Sequence, residues 1–239
     1  MNGLIALLGS GEYLPVMNEV DAYLLANCGA NGRKPRVVCL PTAAGKEGDA
    51  SVGRWMKMGL DHFKALGAEV QALKVTDKET ANDLNHAEAV KEADLVYFSG
   101  GDPMYLYQTM KDSLVWQAAE SVWERGGVYA GCSAGAMILG REVPDFRMLG
   151  SRSNPVFGLV PAEFIIPHFD AIPIFFKPLV ATARKRLHDG EVLVGIDENT
   201  AIIGKANEAW AVMGTAKAHV FTKNDTKSYA AGEKFNLGK

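Results

Sequence analysis

The sequence predicts an α/β fold, a three-layer sandwich in which helices cover both faces of a mostly parallel central sheet. Three observations predict it. Short apolar runs, unalternated and rich in Val, Leu and Tyr, recur through the first half and are each cut off by Gly or Pro; strands buried on both faces have this look. The stretches between those runs are long and periodic enough for helices. Strand and helix alternating in this way build a parallel sheet covered on both sides. The 239 residues suit one large domain, and neither a repeat nor a linker divides them, so residues 1–239 read as a single domain.

In chain order, the first strand is Leu4 to Leu8, stopped by Gly9-Ser10-Gly11. A helix over Val16 to Ala26 leads to a strand at Val37 to Leu40, which ends at Pro41-Thr42. A helix from Val52 to Leu66, closed by Gly67, precedes the strand Val70 to Val75. A helix over Asp83 to Glu92 precedes Leu95 to Phe98, which runs into Ser99-Gly100-Gly101. Two helices within Met104 to Arg125 lead to the strand Gly127 to Ala130, which enters Gly131. The second half changes character. Phe164-Ile165-Ile166 precedes Pro167-His168, Pro178 to Leu187 reads as a helix with a basic end, and four further strands follow at Val192–Ile196, Ala201–Ile203, Ala209–Met213 and His219–Thr222. The last belongs to hairpin pairing at a sheet edge. The polar tail, 223–239, is expected to be partly mobile.

Composition narrows the functional classes. Hydrophobic residues make up 48% and charged residues 22%, which excludes a disordered, collagenous or coiled-coil chain. Lys plus Arg number 25 against 28 Asp plus Glu, a net charge of −3, which gives no overall attraction to nucleic acid or to an anionic membrane. No apolar run approaches the ~18–20 residues of a membrane helix, and the opening residues lack a basic leader. Three cysteines, Cys28, Cys39 and Cys132, are an odd number without framework spacing, so a reduced, cytoplasmic setting is expected. The histidines are scattered and no Cys-x-x-Cys pair exists, so no metal is implied. The glycine-rich segments match neither a Walker nor a dinucleotide fingerprint, and no cofactor is expected. The size suits a monomer or a homodimer.

In an open parallel sheet, ligands bind beyond the carboxyl ends of the strands. The sharpest feature at such an end is Ala130-Gly131-Cys132-Ser133-Ala134-Gly135-Ala136. A buried strand enters it, an apolar helix start leaves it, and glycines sit two residues before and after Ser133. That is the pattern of a nucleophile elbow, a bend so tight that those flanking positions tolerate little beyond hydrogen. A small-residue turn that merely packs a helix on a strand explains the glycines alone, but less well the strand-to-helix setting. Cys132 is out of register with the glycines and reads as a buried, unreactive thiol.

A serine hydroxyl needs a base. Of the five histidines, His62, His86, His188 and His219 read as solvated or capping residues, whereas His168 stands at a strand end. A packed core histidine is the plain alternative. The carboxylate that would fix its tautomer is open among Asp145, Glu142, Glu163, Asp170, Asp197 and Glu198; for the last pair an Asp-Glu-Asn turn is an equal explanation. Gly100 and Gly101 let backbone N–H groups approach a developing oxyanion, with the Ala134 amide as the other donor.

Together, Tyr97-Phe98-Ser99-Gly100-Gly101, the segment Ala130 to Ala136 and Pro167-His168-Phe169 resemble the dipeptidase E and cyanophycinase family of serine peptidases, over roughly Leu4 to Gly204. The resemblance implies the fold of class I glutamine amidotransferases, with a flavodoxin-like core and Ser in place of their Cys. It implies hydrolysis of small peptides through an acyl-enzyme, with Ser133 as nucleophile, His168 as base and amides around Gly100, Gly101 and Ala134 as oxyanion hole. The family acid lies between serine and histidine, closer to the serine, which favours Asp145. This chain departs from the pattern in places. Asp102-Pro103 stands where cyanophycin-cleaving relatives have Asn-Gln, Pro167 replaces their Gln, and Ile174-Phe175-Phe176-Lys177 replaces an arginine-rich face. Dipeptidase E holds an N-terminal aspartate with basic residues; here only Lys177, Arg147 and Arg152 are candidates, and Asp102 would repel an acidic substrate. Asp102, Pro103 and Lys177 are therefore expected to line the substrate pocket, with a preference for neutral or basic small peptides. An α/β-hydrolase esterase, a glutaminase and a non-enzymatic binding protein are the competing readings.

Overall fold

The computed structural model describes residues 3–145, 152–173, 177–205 and 208–237. Five parallel strands form the heart of the larger sheet: β1 (Leu4–Leu8), β2 (Arg36–Leu40), β3 (Glu69–Ala72), β4 (Leu95–Phe98) and β5 (Val128–Cys132). They lie in the order β1-β5-β4-β2-β3. Beyond β1 the sheet continues antiparallel through β10 (Thr200–Gly204), β11 (Trp210–Gly214) and β14 (Lys234–Phe235).

Both faces of the central strands are buried, as their unalternated apolar runs require. Ile5, Leu7, Val38, Leu40, Val96 and Phe98 face one core, where they meet α3 (Leu84–Lys91), α4 (Pro103–Met110) and α5 (Leu114–Glu124). Ala6, Leu8, Val37, Cys39, Leu95 and Tyr97 face the other, under α1 (Asn18–Ala26) and α2 (Asp49–Ala65). The period of two along each strand assigns alternate residues to opposite layers. Side chains at the residue before the helix cap three of them: Asp83 for α3, Asp102 for α4 and Ser113 for α5, each accepting an otherwise unpaired N–H of the first turn.

A second sheet packs beside the first, in the order β13-β12-β9-β8. Here β8 (Phe164–Ile166) and β9 (Leu193–Ile196) are parallel, while β12 (Lys217–Phe221) and β13 (Thr226–Ala230) continue antiparallel. The helix α7 (Lys177–Lys185) contributes Ala183 to a small core with Phe164, Ile166 and Leu193. A short hairpin of β6 (Glu142–Pro144) and β7 (Ser153–Pro155) completes the strands described.

Within the polar tail, β13 and β14 are formed, and Phe235 and Leu237 are buried in the main core. The segment after the elbow is a helix of one turn only, α6 (Ala134–Met137), after which the chain turns into the β6–β7 hairpin. None of the helices described is long and apolar enough to cross a membrane.

Candidate active site

At the end of β5 the chain reverses into α6 within one residue. Ser133 occupies that reversal with φ 49° and ψ −106°, a conformation that costs a residue with a side chain about 1–3 kcal/mol. Two residues away in either direction, only glycine fits. A Cβ on Gly131 would stand 2.3 Å from the Gly135 carbonyl oxygen, and one on Gly135 would stand 2.7 Å from that of Phe98. The Ser133 N–H donates to the Leu8 carbonyl at 2.9 Å, which pins the bend to β1 and carries the hydroxyl beyond the strand ends.

Ser133 Oγ lies 3.1 Å from Nε2 of His168. His168 is itself held at φ 50°, and its backbone N–H donates to the Gly9 carbonyl. Its Nδ1 lies 2.9 Å from Oε1 of Glu198. An ionised carboxylate only accepts, so Nδ1 carries the proton and a neutral ring offers its Nε2 lone pair to the serine hydroxyl. The His168 and Glu198 side chains are 43% and 42% exposed, so the arrangement is open to a substrate.

The carboxylate beside His168 is thus Glu198 and not Asp145. The reason lies in strand pairing. Ile166 of β8 is in register with Gly195 of β9, so His168 and Glu198 emerge together beyond neighbouring parallel strand ends. Phe169 N–H donates to the Ile196 carbonyl at 3.0 Å and Glu198 N–H to Asp170 Oδ1 at 2.8 Å, which locks the two loops together. Asp145 is held elsewhere: it continues the β6–β7 hairpin, where its N–H donates to the Arg152 carbonyl at 2.8 Å. Glu142 faces Arg186 at 3.2 Å and Asp170 accepts from Glu198, so neither stands at the imidazole.

The two glycines after β4 differ. Gly100 N–H donates to Glu12 Oε1 at 2.9 Å, whereas among the described residues the N–H groups of Gly101 and Ala134 have no partner. Glu12, buried in the turn after β1, also accepts from Cys132 Sγ at 3.0 Å. Cys132 is fully buried, and burial together with the Glu12 carboxylate pushes its thiol well up. The sequence displayed Gly9-Ser10-Gly11-Glu12 at a strand end but gave Glu12 no role. An acid in a glycine-rich turn after the first strand was the available signal.

Asp102 spends its side chain on the α4 cap, accepting from Tyr105 N–H at 2.9 Å. With Pro103 and Asp145 it borders a cavity of about 400 Å³ that Lys46, Gln108 and Asn154 also line. The Lys177 side chain, and Arg147 altogether, lie outside the described residues.

The chain matches the model of peptidase family S51 over residues 5–211. It belongs to that family. A peptidase from an acI-B1 Actinobacterium, known from its crystal structure, is 38% identical, with a TM-score of 0.90 over 98% of this chain and 97% of that one. The cyanophycinase of Synechococcus elongatus is 25% identical over 234 residues, 93% of this chain and 69% of the relative. Peptidase E of Shigella flexneri is 27% identical over 177 residues, 72% and 75% of the two chains. This S51 member is accordingly a serine peptidase, a hydrolase of peptide bonds, and its fold is glutamine amidotransferase-like. The esterase and binding-protein readings are not favoured.

Proposed function

We propose that Ser133, His168 and Glu198 are the catalytic triad of a peptidase that cleaves small peptides through an acyl-enzyme. The observation that carries this reading is the unbroken line from Glu198 Oε1 through both nitrogens of His168 to Ser133 Oγ, at 2.9 and 3.1 Å. His168 Nε2 takes the hydroxyl proton as Oγ attacks the scissile carbonyl carbon, and the carbonyl oxygen becomes an oxyanion. The open amides of Gly101 and Ala134 are the donors for that oxyanion, a contribution of about 10²–10³ in rate per donor. As the intermediate collapses the C–N bond breaks, and His168 returns the proton to the leaving amine. A water then repeats the sequence on the ester and frees Ser133. Glu198 holds the ring orientation and stabilises the imidazolium formed at each step.

The substrate class we infer is small peptides with neutral or basic residues. The Asp102 and Asp145 carboxylates beside the cavity next to the Gly100–Gly101 turn support it, with Lys46 as the one basic residue lining that cavity among the described residues. Three free, buried cysteines support work in a reducing, cytoplasmic setting. The reading is tested by a dipeptide panel run on the wild type and on Ser133→Ala. Leucyl and arginyl dipeptides should be hydrolysed faster than aspartyl ones, and the variant should release no product. Aspartyl dipeptides turned over much faster would contradict the substrate class; a fully active variant would contradict the triad.

A further inference from the structure

We infer that Glu12 is a positioning residue for the oxyanion hole, whose buried carboxylate ties the turn after β4 to the nucleophile elbow. The inference rests on the peptidase reading above and adds a residue to it. The end of β1 and the turn after it touch each part of the site. Leu8 accepts from Ser133 N–H, Gly9 accepts from His168 N–H, and Ser10 Oγ accepts from Asn199 N–H, next to Glu198. Glu12 reaches furthest, with one oxygen on Gly100 N–H at 2.9 Å and the other on Cys132 Sγ at 3.0 Å. Its donors thus belong to two separate strand ends.

Glu12 is only 8% exposed, and among the described residues no Lys, Arg or His pairs with it. A buried carboxylate without a counter-charge is unfavourable, so an apolar side chain would be the more stable occupant. What the carboxylate provides and hydrocarbon cannot is two acceptors aimed at two donors. Gly100 is the layer between it and the nucleophile. A Cβ there would meet Glu12 Oε1 at 2.8 Å, and Ser133 Cβ and Oγ at 3.2 and 3.7 Å. With its N–H engaged by Glu12, Gly100 is withheld from the oxyanion. The next amide, Gly101, takes that duty from a peptide whose predecessor is fixed. Glu12 therefore acts through Gly100 and touches no reacting atom.

The test compares Glu12→Ala and Glu12→Gln with the wild type in kcat and KM on a leucyl dipeptide, in the rate of Ser133 modification by a fluorophosphonate, and in melting temperature, with rates expressed per titrated site. Removing the acceptor in Glu12→Ala should lower kcat and the modification rate together by about 10², with KM within about threefold. Glutamine keeps a carbonyl for Gly100 N–H and should rescue kcat to at least about a third of wild type. If Glu12→Ala does not fold, a hundredfold loss in a normally melting Glu12→Gln contradicts the role, and retention of activity supports it. A folded Glu12→Ala with a lowered melting temperature but wild-type rates per site leaves Glu12 merely structural and overturns the inference. A wild type that fails to react contradicts the peptidase reading and, with it, this role. A wild type and Glu12→Ala that react equally fast contradict the role alone.

Discussion

Two histidines of this chain make the same pair of contacts in very different surroundings. His168 joins Glu198 and Ser133; His219 joins Asp197 through Nε2 at 3.0 Å and Ser228 through Nδ1 at 2.8 Å. His219 is 18% exposed and packs on the Phe169 ring, with centroids 4.9 Å apart. Asp197 also accepts from Lys217 N–H at 3.1 Å, so this group staples β9 to β12. Ser228 sits within the extended backbone of β13, directly opposite His219. Ser133 sits in a strained reversal, beside amides that have no partner among the described residues. A serine, an imidazole and a carboxylate in contact therefore do not make a nucleophile. On the proposed triad, the backbone that presents the serine does.

The largest effect separates the two serines. Ser133→Ala should lower kcat by at least about 10⁴, as loss of a triad nucleophile does, while Ser228→Ala should stay within about twofold. A hundredfold loss in Ser228→Ala would break the comparison. The carboxylates come next. Glu198→Gln should reduce kcat by about 10²–10⁴. Asp197→Asn should leave kcat within about threefold and instead lower stability by about 1–2 kcal/mol, read from urea unfolding. Asp145→Asn, whatever it does to KM, should leave kcat within about threefold. A loss in Asp145→Asn equal to that in Glu198→Gln would return the acid's role to the hairpin.

The smallest effect sharpens the contrast between the open site and the closed core. Burial pushes Cys39 up to about 12 and raises Cys132, Tyr13, Tyr97 and Tyr129 above their ordinary values of 9.0 and 10.0. These groups stay protonated in the fold but ionise in the unfolded chain, which then binds fewer protons. Stability should therefore be unaffected by them below pH ~9 and fall as pH rises from about 9 towards 12. Urea midpoints at pH 7.5, 9 and 10.5 would show it; a constant midpoint would contradict it. Iodoacetamide at pH 8 should spare all three cysteines until the protein unfolds, Cys132 included, although it adjoins Ser133.

What was legible in the sequence was local. Gly131 and Gly135 around Ser133 announce the bend, and unalternated runs such as Leu95 to Phe98 announce strands buried on both faces. His168 was readable from its place at a strand end. Glu198 was visible as a candidate but not decidable, because its meeting with His168 depends on the parallel pairing of β8 with β9, which no short pattern encodes. Likewise His62 has charged neighbours in sequence, which suggested a solvated face. On α2 it shares the inward side with Gly59 and Phe63 and pairs with the buried Asp21 at 2.8 Å. The strand in the tail was hard to read for a related reason: Thr226 to Ala230 is polar because it forms an exposed edge, and the buried anchors, Phe235 and Leu237, come only afterwards.

The most direct test of the central claim is to map, by peptide mass spectrometry, the residue that a fluorophosphonate modifies in the wild type. A single adduct on Ser133 is expected, formed much more slowly in Glu198→Gln. An adduct on Ser228, or none at all in a folded and peptidase-active protein, would contradict it.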